Sequence, residues 1–174
     1  MWVFGYGSLM WDGWEREWGC IRSTLADLDG FSRIFNKASV RNWGTKSLPC
    51  PTLNLVKTDK GCCRGLAFQF SNSRAQSLLK YLTEREGKDF VFHEMTVRLH
   101  EGDSVPTLVS IYKGKNIIKF DSESDLDELI LKASGRDGLC ITYVKSIADQ
   151  LESLGIKDPI VTALWKRLSR KDGK

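Results

Sequence analysis

The chain opens on a hydrophobic run, Trp2-Val3-Phe4, carried on by Tyr6, with Gly5, Gly7 and Ser8 placed where the run gives out. Bulky and β-branched residues in succession predict a buried strand, and the small residues after it predict a turn with open backbone. Two readings of that turn stand side by side. It is an ordinary Gly-Ser turn, or its successive N–H groups form a concavity suited to an anion or oxyanion, which glycine lets a ligand approach.

Trp11, Trp14 and Trp18 follow among Asp12, Glu15, Arg16 and Glu17. Helical spacing places the indoles roughly on one face, which predicts a short amphipathic segment packed over the core. Residues 20–36 alternate loosely and end in Phe31-Ser32-Arg33-Ile34-Phe35, a strand pattern, whereas 37–51, with Pro49 and Pro51, read as loop. Loops of that length are often either mobile or part of a site. Residues 52–56 and 63–70 then read as the strands of a hairpin around an Asp59-Lys60-Gly61 turn, with Gly65 marking a bulge or a close backbone approach.

Ser71-Asn72-Ser73 supplies N-cap residues, and the helix they start is expected to reach Glu86, with Gly87 at its end. Ala75, Leu78, Leu79 and Leu82 form its apolar stripe, and the next position on that stripe is Glu86. A carboxylate ending an apolar stripe is the sharpest anomaly in the pattern. Desolvation and the negative end of a helix both raise a carboxyl pKa, which is the profile of a general base. The alternative is that Glu86 snorkels to solvent or pairs with an arginine. Glu84, on the Gln76 and Lys80 side, is expected in solvent.

Further along, 89–99 and 105–112 read as two strands joined by Glu101-Gly102-Asp103, and 121–138 as a helix ended by Gly135. Residues 139–154 and 159–168 read as two amphipathic helices, the second started by Pro159. No repeat or domain boundary interrupts the pattern, so a single domain over 1–174 is expected, with the helices from 139 onward packed on it.

Composition narrows the classes. At 174 residues, 41% hydrophobic and 28% charged, the chain is long enough for a substantial core and ordinary for a soluble globular protein. The net charge of +4 is mild, and much of the basic excess lies in the C-terminal Lys166, Arg167, Arg170, Lys171 and Lys174, for which a solvated helix end, where cations are favoured, is a sufficient explanation. That is not the footprint of a nucleic-acid partner. The five cysteines are odd in number and lack a C-x-x-C pair, so neither a disulfide framework nor a zinc site is suggested. With His93 and His100 as the only histidines, no histidine-rich metal site is available. A charged leader and an apolar run of membrane length are both missing, so a reducing cytoplasm and no membrane partner are expected.

Other chemistry is thinly marked. The nucleophile elbow, the Walker loop and the dinucleotide fingerprint do not occur. Arg33 and Arg136 have the chemistry to clamp a carboxylate, although lone arginines usually form surface pairs. Tyr143 shares a helix face with Cys140 and Ile147 and reads more readily as core. His93 reads as structural or exposed.

Several of these stretches share a resemblance. The opening Met1-Trp2-Val3-Phe4-Gly5-Tyr6-Gly7-Ser8-Leu9 resembles the N-terminus of the ChaC-type gamma-glutamylcyclotransferases, with their Tyr-Gly-Ser-Leu signature. Phe31-Ser32-Arg33-Ile34-Phe35, Gly61-Cys62-Cys63-Arg64-Gly65-Leu66-Ala67 and Tyr81-Leu82-Thr83-Glu84-Arg85-Glu86 resemble three further family segments. Gly135-Arg136 and Tyr143 fall where the family has a Gly-Arg and a Tyr. The resemblance implies an α+β fold, a small mixed β-barrel or sheet flanked by helices. It implies Glu86 as the catalytic acid/base, and it brings in Tyr6, Gly7, Ser8, Leu9, Arg33, Ser39 and Tyr143 as substrate-binding candidates. The implied reaction is attack of a gamma-glutamyl substrate's own α-amine on its γ-carbonyl, releasing 5-oxoproline and a free amine. Glutathione is the leading small-molecule substrate on this resemblance, and no metal or organic cofactor is required.

Two departures bear on substrate choice. Where glutathione-specific members have Arg-Glu-Lys-Gly-Gly-Tyr, this chain has Arg85-Glu86-Gly87-Lys88-Asp89-Phe90, and the 37–51 loop also differs. Gamma-glutamyl amino acids or amines are therefore the alternative substrates. A non-catalytic module that binds a gamma-glutamyl peptide is the alternative from another class.

Overall fold

The structure, a computed structural model, describes residues 1–172; Lys174 of the basic C-terminal group lies outside them. Strands β1 (Trp2–Gly5), β2 (Arg22–Ser39), β3 (Cys50–Gln69), β4 (Phe90–Leu99) and β5 (Ser104–Tyr112) close into a barrel in the order β1-β3-β2-β4-β5. The helices are α1 (Trp14–Glu17), α2 (Ala75–Glu86), α3 (Glu123–Lys132), α4 (Cys140–Ser153) and α5 (Pro159–Asp172). A two-stranded ribbon, β6 (Ser134–Gly135) with β7 (Gly138–Leu139), completes a mixed α+β fold.

The chain divides into two compact units, one of residues 1–32 and 55–114, the other of 33–54 and 115 onward. In the first unit, β1 runs antiparallel to β3 and parallel to β5, with Val3 beside Phe68 and Leu108. Val3, Leu9, Trp14, Phe68, Phe70, Leu78 and Leu82 form its apolar cluster under α2. Leu78 and Leu82 are fully buried, each contributing about 2 kcal/mol by removal from water. That burial is what fixes the rotation of α2 about its axis. Trp14 lies in the cluster, with Phe68 and Phe70 around it and its Nε1–H donated to Leu9 O at 2.9 Å, so this indole is packing.

In the second unit, α3, α4 and α5 pack on one another. Ser122 and Asp125 cap α3 reciprocally, and the buried Asp127 on that helix is held by Arg167 and Lys171 of α5. Two of the C-terminal cations thus close an interhelical ion network in addition to facing a helix end.

Three local expectations change. The expected hairpin at 52–70 is one continuous strand, because Gly61 makes no turn: its φ is not positive, and a Cβ there would strike Thr58 Oγ1, Ser32 Oγ and Phe31 O. Glycine at this position provides close packing of β3 on β2. The loop expected at 37–51 narrows to 40–49, since Thr52 Oγ1 donates to Lys37 O at 3.0 Å and Ala38 N to Asn116 O at 2.8 Å. The helix expected at 121–138 ends at Lys132, because Ala133 turns extended and Cys140 N–H bonds back to Ala133 O, closing the β6–β7 ribbon.

Candidate active site

Each unit carries its own share of the candidate residues. In the first, β1 ends at Gly5 and a single 3-10 turn follows at Ser8–Met10, with Met10 N–H bonded to Gly7 O at 3.0 Å. Tyr6 and Leu9 are buried, Gly7 is half-buried and Ser8 is exposed. Gly5 has little room for a side chain: an added Cβ would lie 3.2 Å from both Leu9 Cβ and Phe68 Cε2. Gly65 beside it is tighter still, facing Gly5 O and the Phe4 ring, so it marks a close backbone approach.

Ser71 starts the next segment as its spacing predicts, accepting from Ser73 N–H, and α2 runs to Glu86 with Gly87 as C-cap at φ 91°. Only glycine adopts that backbone without strain. Glu86 is half-buried and Glu84 exposed, the contrast that the helical stripe predicts. Leu79 departs from the stripe and is exposed. The end of α2 is tied to the segment after the turn by the Arg85–Asp12 ion pair, and Arg85 also donates to Tyr81 OH at 3.4 Å. Leu82, one helical turn before Glu86, shares the apolar cluster with Leu9. The turn Tyr6–Leu9 and the helix end bearing Glu86 therefore belong to one packed assembly.

In the second unit, Ser39 Oγ accepts from Trp43 N–H at 3.3 Å, and the Trp43 ring lies 5.5 Å from that of Tyr143. Tyr143 OH accepts the Leu53 N–H at 3.0 Å. Ser39 and Tyr143 thus meet through Trp43 of the 40–49 loop. Arg33 is placed differently. Its side chain is fully buried and donates to Asp158 Oδ2 at 2.8 Å, while Asp158 Oδ1 accepts from Ile160 and Val161 N–H at the start of α5. Arg136 takes the bland alternative, pairing with its exposed neighbour Asp137.

The cysteine reading is corrected here. Cys50 and Cys140, both fully buried, form a disulfide with a sequence separation of 90. It joins the start of β3 to the first residue of α4, one helical turn from Tyr143. Spacing alone conceals such a pair, since neither cysteine has a sequence neighbour that marks it. Cys20, Cys62 and Cys63 stand outside the disulfide and keep their thiols. Burial pushes the Cys62 thiol up to about 11, with the Asp27 and Asp29 carboxylates adding to the shift, which leaves it a poor nucleophile. Among the described residues, no group of three or more His, Cys, Asp or Glu is placed to hold a metal ion.

A family model described as "ChaC-like protein" matches residues 1–171. The chain belongs to the ChaC-like family. This ChaC-like chain is 27% identical over 174 residues to gamma-glutamylcyclotransferase 2-3 of Arabidopsis thaliana, covering 94% of the chain and 86% of the relative. It is 27% identical over 177 residues to the glutathione-specific gamma-glutamylcyclotransferase of Schizosaccharomyces pombe, covering 88% and 84%. With the human glutathione-specific gamma-glutamylcyclotransferase 1 the identity is 25% over 161 residues, covering 89% and 71%. The crystal structure of the yeast gamma-glutamylcyclotransferase specific to glutathione superposes with a TM-score of 0.85 at 19% identity, over 98% of this chain and 96% of that one. At that identity the likeness concerns the fold, and it places this ChaC-like chain among gamma-glutamylcyclotransferase folds. No helix among the described residues is long and apolar enough to cross a membrane.

Proposed function

We propose that the chain is a gamma-glutamylcyclotransferase that acts on glutathione and releases 5-oxoproline and Cys-Gly. The reading rests on the family match over residues 1–171, a range that takes in both units and supports one functional domain. The observation that carries its mechanism is a carboxylate, Glu86, at the end of a helix packed against the Gly-Ser turn.

In this mechanism Glu86 takes a proton from the substrate α-ammonium, and the freed amine attacks the γ-carbonyl carbon. The carbon–nitrogen bond to cysteine breaks as the oxyanion collapses and Glu86 returns its proton to the departing nitrogen; the ring nitrogen gives up its second proton to leave the neutral lactam, and that proton ends on the released amine as its ammonium. The nucleophile belongs to the substrate, so the protein's tasks are ring-closing geometry, proton transfer and oxyanion stabilisation. Backbone N–H groups at Gly7, Ser8 and Leu9 hold the glutamyl group, and Tyr6 lines the same turn. Ser39, Tyr143 and Arg33, all in the second unit, are the remaining substrate-binding candidates, Arg33 through its anchorage of Asp158 and α5.

One observation keeps a second substrate class in play. Phe90 follows Glu86 where a tyrosine stands in the glutathione-specific pattern, and its ring lies edge-on to Tyr112 at 5.2 Å. Gamma-glutamyl amino acids or amines are the substrates that this change would favour. Incubation with glutathione and with gamma-glutamyl dipeptides, reading 5-oxoproline, separates the two. A cytoplasmic setting is part of the same proposal.

A further inference from the structure

We infer that Ser110 is a substrate-contacting residue, its hydroxyl hydrogen-bonding the glutamyl end of the ligand in the Glu86 site. This rests on the gamma-glutamyl reading above. Ser110 is 1% exposed, and among the described residues its Oγ has no hydrogen-bond partner. Buried hydroxyls are nearly always paired, and an unpaired one carries a desolvation penalty that needs an explanation.

Two registers say where the hydroxyl stands. Ser110 lies directly opposite Phe92 in the β4–β5 ladder, and paired residues share a face, so its side chain stands on the Phe92 side. Phe92 packs against the cluster that holds Val3, Leu9 and Leu82. Independently, β1 and β5 run parallel with Val3 beside Leu108 and Phe4 beside Val109, and one more step puts Gly5 beside Ser110. Both registers place Ser110 on the face covered by the Leu9 segment and by α2.

The lateral position is equally telling. Ser110 is level with the end of β1, where Gly5 has no side chain and the Tyr6–Leu9 turn begins. Two residues farther along β5, Tyr112 pairs with Phe90, only four residues beyond Glu86. A hydroxyl at this place lies level with the start of the turn and two residues from the strand pair that follows the helix bearing Glu86. As both donor and acceptor, it suits the glutamyl amine or carbonyl, whichever faces it.

The test compares wild type with Ser110→Ala and, as a volume-conserving second variant, Ser110→Cys. Three readouts are taken: glutathione turnover, binding of glutathione and of the product 5-oxoproline, and Tm without ligand. Loss of one neutral hydrogen bond lowers kcat/KM by about three- to tenfold. Binding of 5-oxoproline falls by a similar factor, because the contact is at the glutamyl end. The Tm of Ser110→Ala stays level or rises, since among the described residues the hydroxyl has no hydrogen-bond partner to lose. Unchanged binding and turnover in both variants overturn the inference, and so does a Tm loss of several degrees, which would mean that the hydroxyl serves the fold. If Ser110→Ala does not fold, Ser110→Cys decides by the same criteria. Wild type that binds glutathione without releasing 5-oxoproline defeats the catalytic reading alone, and the binding comparison still judges Ser110. Wild type that binds neither compound overturns both.

Discussion

Asp158 holds the buried guanidinium of Arg33 with Oδ2 at 2.8 Å, while its Oδ1 accepts two N–H groups in the first turn of α5. One carboxylate therefore serves as helix cap and as counter-ion to a charge with no access to water. Removing it leaves Arg33 buried without that partner and α5 without its cap. Asp158→Ala is expected to cost about 3–5 kcal/mol. The double variant Arg33→Leu with Asp158→Ala should recover part of that loss, because the stranded charge is gone. Urea unfolding of the single and double variants measures both.

The Cys50–Cys140 bridge closes a loop with a sequence separation of 90. On chain entropy a loop of this size stabilises by about 4.6 kcal/mol. Reduction, or Cys50→Ala with Cys140→Ala, is expected to lower Tm by several degrees. Thiol titration of unreduced, denatured protein should count three groups, Cys20, Cys62 and Cys63, and five after reduction. Five before reduction would contradict the bridge.

Asp27 in β2 takes a bidentate pair of bonds from Arg64 at 2.7 and 2.9 Å and a further ion pair from Arg98 at 3.1 Å. The Arg64 hydrogen bonds, ahead of the Coulomb attraction of both arginines, hold its pKa below the usual carboxylate range despite burial. A lowered folded-state pKa contributes stability above the unfolded value of about 3.9, and this is lost as pH falls through the folded value. Asp27→Asn is expected to cost about 1–2 kcal/mol at pH 7, since both arginines are half exposed and screened by water. The gap to wild type should narrow below about pH 4. Thermal unfolding from pH 7 to pH 2 reads it, and a gap that widens in acid would reverse the assignment.

Tyr143 OH accepts the Leu53 N–H in a buried setting. Tyr143→Phe removes that acceptor and is expected to destabilise by about 1–2 kcal/mol. As a proposed ligand contact it should also raise KM for glutathione, with kcat less affected. Stability loss with an unaltered KM would confine Tyr143 to the fold.

How much was legible from sequence follows from the kind of signal each residue carries. Ser71, the Leu78–Leu82 stripe, Glu86 and Gly87 were legible because caps, helical period and left-handed glycine are local properties. The turn at Asp59-Lys60-Gly61 was misread because glycine serves close strand packing as well as turns, and only the partner strand decides which. Cys50 with Cys140, and Arg33 with Asp158, join residues far apart in the chain, so no window of sequence contains either pair. Ser110 lay hidden in the middle of β5, where a small polar residue among Val109 and Ile111 carries no motif. Its burial and missing partner emerge only from the packed face.

Of all measurements, release of 5-oxoproline from glutathione by wild type and by Glu86→Gln tests the account most directly. Glutamine keeps the size of the side chain and removes its ability to carry a proton. The account predicts release by wild type and a loss of at least about 100-fold in the variant, with glutathione binding largely retained. Wild-type turnover undiminished in Glu86→Gln would contradict the assigned base, and no release by wild type from glutathione or from any gamma-glutamyl dipeptide would contradict the activity itself.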